Sequence, residues 1–359
     1  MGNLAGLAND ATAAATPTAV LPPTSPFLAL NAHFGMLLGV PELDLLSAYP
    51  RGKTRLHNAW LHGFGVVWGY AARVGPKPGD AEDETPAQEL RIEPGLALGP
   101  AGQELYLERA ACLDLGAWYA KHKDEVRQDP SFQEAGGVVS FDAHVTLGPR
   151  ACLTRPVPAI SQPCSENASG TAFSRVSEQV ALELLPGRAP AAPARPYHRL
   201  RVLFALDDAV LPDDQPVADA RDAVLALAAD QQPREYLKWF RVFAALDTAD
   251  LTPFTDAAGA RSLFPDADGA VIVLADVIGV RLREQDGTFV LEPPPPQVDI
   301  TVRPSLVATS TIQELLCGPL FASAPPPQPA PEPAPADVRV AGPAGSARPA
   351  GRSDSRKRS

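Results

Sequence analysis

Hydrophobic and polar positions change period several times along the 359-residue chain. In "FLALNAHFGMLLGVPELDLLSAY" (27–49), Leu43, Leu46 and the Leu45/Tyr49 pair recur at helical spacing. Pro41 suits the first turn of that helix, where no N–H is needed, and Glu42 and Asp44 favour the positive end of its dipole. Pro50 and Gly52 are expected to break it. A second helix is predicted from Lys53 to Leu61, with Leu56 and Trp60 one turn apart, terminated by Gly63 as the C′ residue.

Beyond Gly63 the period shortens to two. "GVVWGYAARV" and "ELRIEPGLALGPAGQELYLERAACLDL" read as short strands punctuated by Pro94-Gly95 and by the turn Gly99-Pro100-Ala101-Gly102. Alternation predicts that Val66, Trp68 and Tyr70 pack together on the preceding helix. The acidic insert "GPKPGDAEDETPAQ" reads as a solvated hairpin loop and "GAWYAKHKDEV" as a short helix. Val139, Phe141, Ala143 and Val145 alternate against polar neighbours, and "SRVSEQVALELLPG" is a further strand. Residues 197–255 are mainly helical, with "DARDAVLALAAD" and "PREYLKWFRVFAALD" amphipathic. From Gly269 the chain returns to strands and closes on a short helix in "TIQELL". The reading is α+β: a leader (1–26) expected to be disordered, a helix-led β-rich module (27–187), a linker and mainly helical region (188–255), a β-rich closing module (256–324), and a Pro-rich basic tail (325–359) expected to be disordered.

Composition sharpens this picture. Forty prolines, about 11% of the chain against the usual ~5%, require short elements and ordered loops or Pro-rich linkers. The net charge of −11 argues against non-specific binding to nucleic acid or anionic membrane. The tail carries six Lys/Arg and three Asp/Glu, which leaves the body at −14. Four cysteines (Cys112, Cys152, Cys164, Cys317) without a CxxC pair are no disulfide framework. No apolar run reaches membrane-span length, and the first residues lack a basic n-region, so a cytoplasmic protein is expected.

Candidate chemistry is sparse. His57 and His62 lie five apart, which rotates them by about 140° on a helix, away from the i, i+4 spacing of a helical zinc pair. His33 could join them only through tertiary folding, and a metal-dependent hydrolase built on His33, His57 and His62 is the weakest reading. Cys152, Cys164, His144 and His198 could gather around zinc, but their spacing is irregular. There is no GxSxG elbow, and "GPAGQEL" lacks both the phosphate-loop lysine and the dinucleotide spacing. "NAS" (167–169) is a glycosylation sequon only in a secreted eukaryotic chain. No catalytic, cofactor-binding or metal-binding residue is assigned, and the chain reads as a non-enzyme without a cofactor. A second function class is a carbohydrate- or ligand-binding accessory module with Trp60, Trp68 and Tyr70 lining a surface.

The stretches without catalytic signals carry a resemblance. "HFGMLLGVPELDLLSAYPRGKTRLHNAWLHGFGVVWGYAARV" followed by "LRIEPGLALGPAGQELYLERAACLDLGAWYAKH" resembles a family encoded with phage-tail-like contractile injection systems. "CLTRPVPAISQPCSENASGTAFSRVSEQVALELL" is similar to a second block of that family. "GAVIVLADVIGV" with "VRPSLVATSTIQELL" is similar to its closing block. Together these cover roughly residues 27–186 and 269–316. Two departures stand out: Pro50-Arg51-Gly52 interrupts a helix, and Gly99-Pro100 replaces an aspartate. The resemblance implies a non-catalytic structural or adaptor subunit, associated with the baseplate or fibres and assembled in the cytoplasm. Its partners would be other particle subunits, with a homo-oligomer also open, and neither nucleic acid nor membrane insertion is expected.

Overall fold

In the computed structural model, residues 2–3, 18–19, 25–76, 88–158, 171–191, 196–251, 254–255, 259, 261–265 and 270–322 are described. The acidic insert, the "NAS" sequon, Cys164 and the basic tail lie outside them, as does most of the leader. In chain order the elements are β1 (Gly2–Asn3), β2 (Thr18–Ala19), α1 (Val40–His57), β3 (Gly65–Gly69), β4 (Ala72–Pro76), β5 (Gln88–Ile92), β6 (Gly95–Leu98), β7 (Glu104–Leu107), β8 (Ala111–Asp114), α2 (Leu115–Val126), β9 (Gln133–Ala135), β10 (Val138–Pro158), β11 (Thr171–Pro186), α3 (His198–Leu203), α4 (Gln215–Leu225), α5 (Gln232–Asp250), β12 (Phe254–Thr255), β13 (Arg261–Ser262), β14 (Ile272–Gln285), β15 (Thr288–Leu291), β16 (Gln297–Asp299) and α6 (Thr309–Ala322). The protein is α+β. None of its described helices is long and apolar enough to cross a membrane.

The largest sheet grows from the predicted alternation in β10. Val139, Phe141, Ala143, Val145 and Leu147 are all buried, and His144 and Thr146 between them are buried too, so the middle of β10 is covered on both faces. β11 runs back along it, from Ala143 opposite Pro186 to Pro158 opposite Thr171. On the other side β14 pairs Leu282 with Val139 and Val280 with Phe141. The β-rich segments at 27–187 and 256–324, read separately in the sequence, therefore share one sheet. The larger of two hydrophobic cores runs from Val66 through β5–β8 and α2 to Leu282, and the first compact unit ends at Val307. Helix α6 belongs to a second unit that begins at Ala308.

Two three-stranded antiparallel sheets, β3-β6-β7 and β4-β5-β8, flank this core. Helix α2 begins where the Asp114 carboxylate accepts the Ala117 N–H at 2.8 Å, satisfying one of the free donors of its first turn. It then packs Tyr119 between Phe141 and Phe289, with ring centroids 5.4 and 4.9 Å away. The helical region has its own core of Val202, Leu203, Val217, Ala220 and Phe243. There the buried Asp247 carboxylate caps α3, accepting the backbone N–H groups of Arg199 (3.2 Å) and Leu200 (3.0 Å).

Helix α1 departs from the sequence reading in two ways. It runs unbroken through Pro50 and Gly52 and continues as a π-helical turn over Asn58–His62, ending at Gly63 (φ +76°) as expected. Gly52 serves contact here, not interruption. A Cβ on it would lie 2.5 Å from the backbone of Pro26, because the incoming segment crosses the helix there and the Ser25 N–H bonds to the Ala48 carbonyl at 3.0 Å. The second departure is the face that is buried. Ala48, Gly52 and Arg55 are covered, while Leu43 and Leu46, the residues that predicted the helix, are more than half exposed.

Candidate interaction surface

The motif "RLHNAWLHGFGVVWGY" (55–70) shows how local geometry distributes its groups. His57 and His62 are exposed, as is His33, and among the described residues no three or more His, Cys, Asp or Glu side chains gather into a ligand set. Asn58 faces the β6–β7 turn, donating to the carbonyl of Gly102 (3.0 Å) and to Glu104 Oε1 (3.3 Å). Trp60 is part-exposed, and its indole N–H donates to the carbonyl of Leu263 at 2.9 Å.

The strand that follows is irregular where alternation predicts regularity. Val66 is buried and Tyr70 fully so, its hydroxyl donating to the Leu105 carbonyl at 3.0 Å. Burial pushes the Tyr70 phenol well above the usual range, so it stays neutral. Trp68 lies outside this cluster, at 49% exposure, because a β-bulge between Val66 and Trp68 shifts the register against β6. It stands beside the exposed Tyr106 on β7, ring centroids 6.5 Å apart. Gly69 closes the irregularity with φ +75°, and a Cβ there would come within 2.2 Å of the Pro94 carbonyl oxygen. The far end of the chain then clamps β3. Val66 N–H donates to Pro304 (2.9 Å), Leu306 N–H donates to Val66 (2.9 Å), and the Arg303 guanidinium donates to the Tyr70 carbonyl (2.9 Å). No sequence signal near residue 66 announces a partner this distant.

The remaining candidate groups serve local structure. His144 is buried, with Nδ1 2.8 Å from the Gly187 carbonyl oxygen, and the Cys152 thiol donates to Gln179 at 3.4 Å. His198 Nε2 lies 2.9 Å from Asp214 Oδ1. These groups do not gather around a common point, and the side chain of Cys317 lies outside the described residues. Burial opposes ionisation of Asp214, but the Leu211 N–H, His198 and the Val210 N–H outweigh it and hold the carboxyl below the ordinary carboxylate range. Arg201 does the same for Asp207. Burial pushes the Cys112 thiol up, the opposite of what a reactive thiolate needs. Among the described residues no hydroxyl or thiol is hydrogen-bonded to an imidazole; the Ser131 and Thr301 hydroxyls donate to Asp129 (2.5 Å) and Asp299 (2.7 Å), each two residues away in the same turn.

The region of residues 27–46 presents a different chemistry. Phe34 and Leu37 stand almost wholly in solvent, at 106% and 91% exposure. Phe27, Leu28, Leu38, Val40, Leu43 and Leu46 are each more than half exposed. Isolated exposed apolar residues are ordinary, but eight within one short segment are what an interaction surface needs. Local construction explains the part on the helix: α1 turns its small residues Ala48 and Gly52 inward, where backbone can approach closely, and leaves Leu43 and Leu46 outward while Leu45 and Leu56 are half-buried. The sequence matches no protein-family model and no curated protein.

Proposed function

We propose that this chain is a non-catalytic structural or adaptor subunit of a phage-tail-like contractile injection particle, associated with its baseplate or fibres and assembled in the cytoplasm. The observation that carries the reading is the exposed apolar segment Phe27–Leu46, which falls in the stretch that resembles the tail-associated family. A subunit of a particle keeps such a surface for its neighbours, where burial gains about 25 cal/mol per Å². The test is purification of the particle from a lysate of producing cells: the chain should co-sediment with sheath and tube proteins. A chain found only in the soluble fraction while sheath and tube sediment would overturn the reading.

The exposed Trp68/Tyr106 pair favours a second reading, a carbohydrate- or ligand-binding accessory module, since a half-exposed aromatic pair is a stacking platform for sugar rings. Tyr70, fully buried, takes no part in it. Trp68→Ala should leave the fold intact. Loss of retention on a polysaccharide affinity matrix would support this reading, and absence of any retention by the unaltered chain would remove it.

A further inference from the structure

We infer that the groove between the end of α4 and α5 binds an acidic segment of a partner protein, the Arg234 and Arg241 guanidiniums each holding a carboxylate. The groove has a volume of about 980 Å³, at the upper end for a ligand cleft. Helix α5 turns Phe243 and Asp247 onto the core of the helical region and stacks Trp239 on Phe243, ring centroids 5.5 Å apart. The same periodicity gathers Arg234, Lys238 and Arg241, at i, i+4 and i+7, on another face, where all three are exposed. Leu237, half exposed, and Leu227, on the connection from α4, add apolar surface to the groove.

The charges choose the occupant. Lys238 is already committed: its Nζ donates to Glu235 at 2.6 Å and lies 5.2 Å from the centre of the Trp239 ring. Elsewhere in the helical region Arg199, Arg201 and Arg221 each hold a carboxylate, at 2.6, 2.7 and 3.2 Å. Arg234 and Arg241 pair with no described residue, and with Asp230 as the remaining anion the lining keeps an excess of cations. Seven residues separate the two arginines, about 10 Å along the helix axis, so a single small anion meets only one of them. A segment with several acidic side chains meets both, in the bidentate geometry that guanidinium and carboxylate share. Its apolar side chains then cover Leu227 and Leu237. A single-stranded nucleic acid would need exposed aromatic faces for its bases, and the Trp239 ring is taken up by Phe243 and Lys238.

The test is fluorescence polarisation of the full chain with a dye-labelled peptide of repeated Glu-Leu-Ser. The unaltered chain should bind it, and should bind the matching Gln-Leu-Ser peptide about tenfold more weakly or worse. Arg234→Gln combined with Arg241→Gln should weaken binding of the acidic peptide by about tenfold or more. The melting temperature should not change, since both side chains are exposed. Arg155→Gln combined with Arg175→Gln removes the same charge from exposed positions on the β10–β11 hairpin and should leave binding as it was. An unaltered chain that ignores the acidic peptide, equal loss in the two double variants, or tighter binding of a single-stranded DNA oligomer would overturn the inference. The adaptor reading is tested apart from it: a chain that co-sediments with the particle but ignores the peptide loses this inference alone, and one that binds the peptide but stays soluble loses the adaptor reading alone.

Discussion

Gly69 and Trp68 are neighbours with opposite tolerances. Gly69 sits at φ +75° with the Pro94 carbonyl oxygen 2.2 Å from where a Cβ would be, so Gly69→Ala combines backbone strain with a clash that only backbone movement relieves. We expect it to cost more than about 2 kcal/mol in urea unfolding. Trp68→Ala removes a ring that is half in solvent and should cost less than about 1 kcal/mol on the same measurement. The sequence could not separate the two positions. Alternation put Trp68 in the core with Val66 and Tyr70. The β-bulge that turns it out is a one-residue slip, and such a slip leaves no trace in a pattern of period two. The five-residue spacing of His57 and His62 argued against a helical zinc pair, but that both side chains would be exposed was not legible from it.

Element by element, the strand pattern held where burial alternates, as at Val139, Phe141 and Ala143, while from Ala143 to Gly148 both faces of β10 are covered. Helices α2 and α5 lie where helices were expected, and α4 overlaps the expected stretch but ends at Leu225. Helix α1 shows where pattern reading stops. Its period was right, but Pro50 and Gly52 read as breakers, and the leucines read as the buried face. Tertiary contact decided both, because the Ser25–Pro26 segment needs the bare backbone of Gly52. Pro50 is exposed inside the helix and leaves the Leu46 carbonyl without its helical donor. Pro50→Ala should restore that bond and stabilise the protein by about 1–2 kcal/mol in thermal or urea unfolding. The helical region carries its own pH dependence. Asp214 has its pKa held down in the folded state, so its contribution is complete above the ordinary carboxylate value near ~4 and is lost as pH falls through the lower folded value. The melting temperature should be flat down to about pH 4 and fall below it, and Asp214→Asn should lower the plateau and flatten the acid limb.

At the scale of the whole molecule, one sheet joins segments that stand more than a hundred residues apart in sequence. β14 pairs with β10, and the Arg303–Leu306 stretch clamps β3. Non-local pairing of this kind was invisible to local period, and for that reason the closing strands read as a module of their own. Among the apolar stretches that the described residues leave exposed is the segment Phe27–Leu46, and the central proposal is that a particle covers it. Co-sedimentation from lysates of producing cells tests this most directly, comparing the unaltered chain with Phe34→Glu combined with Leu37→Glu. These side chains are already in solvent at 106% and 91% exposure, so the variant should fold and melt as before. We expect the unaltered chain in the pellet with sheath and tube and the variant in the supernatant. An unaltered chain that stays soluble, or a variant that sediments equally well, would contradict the claim.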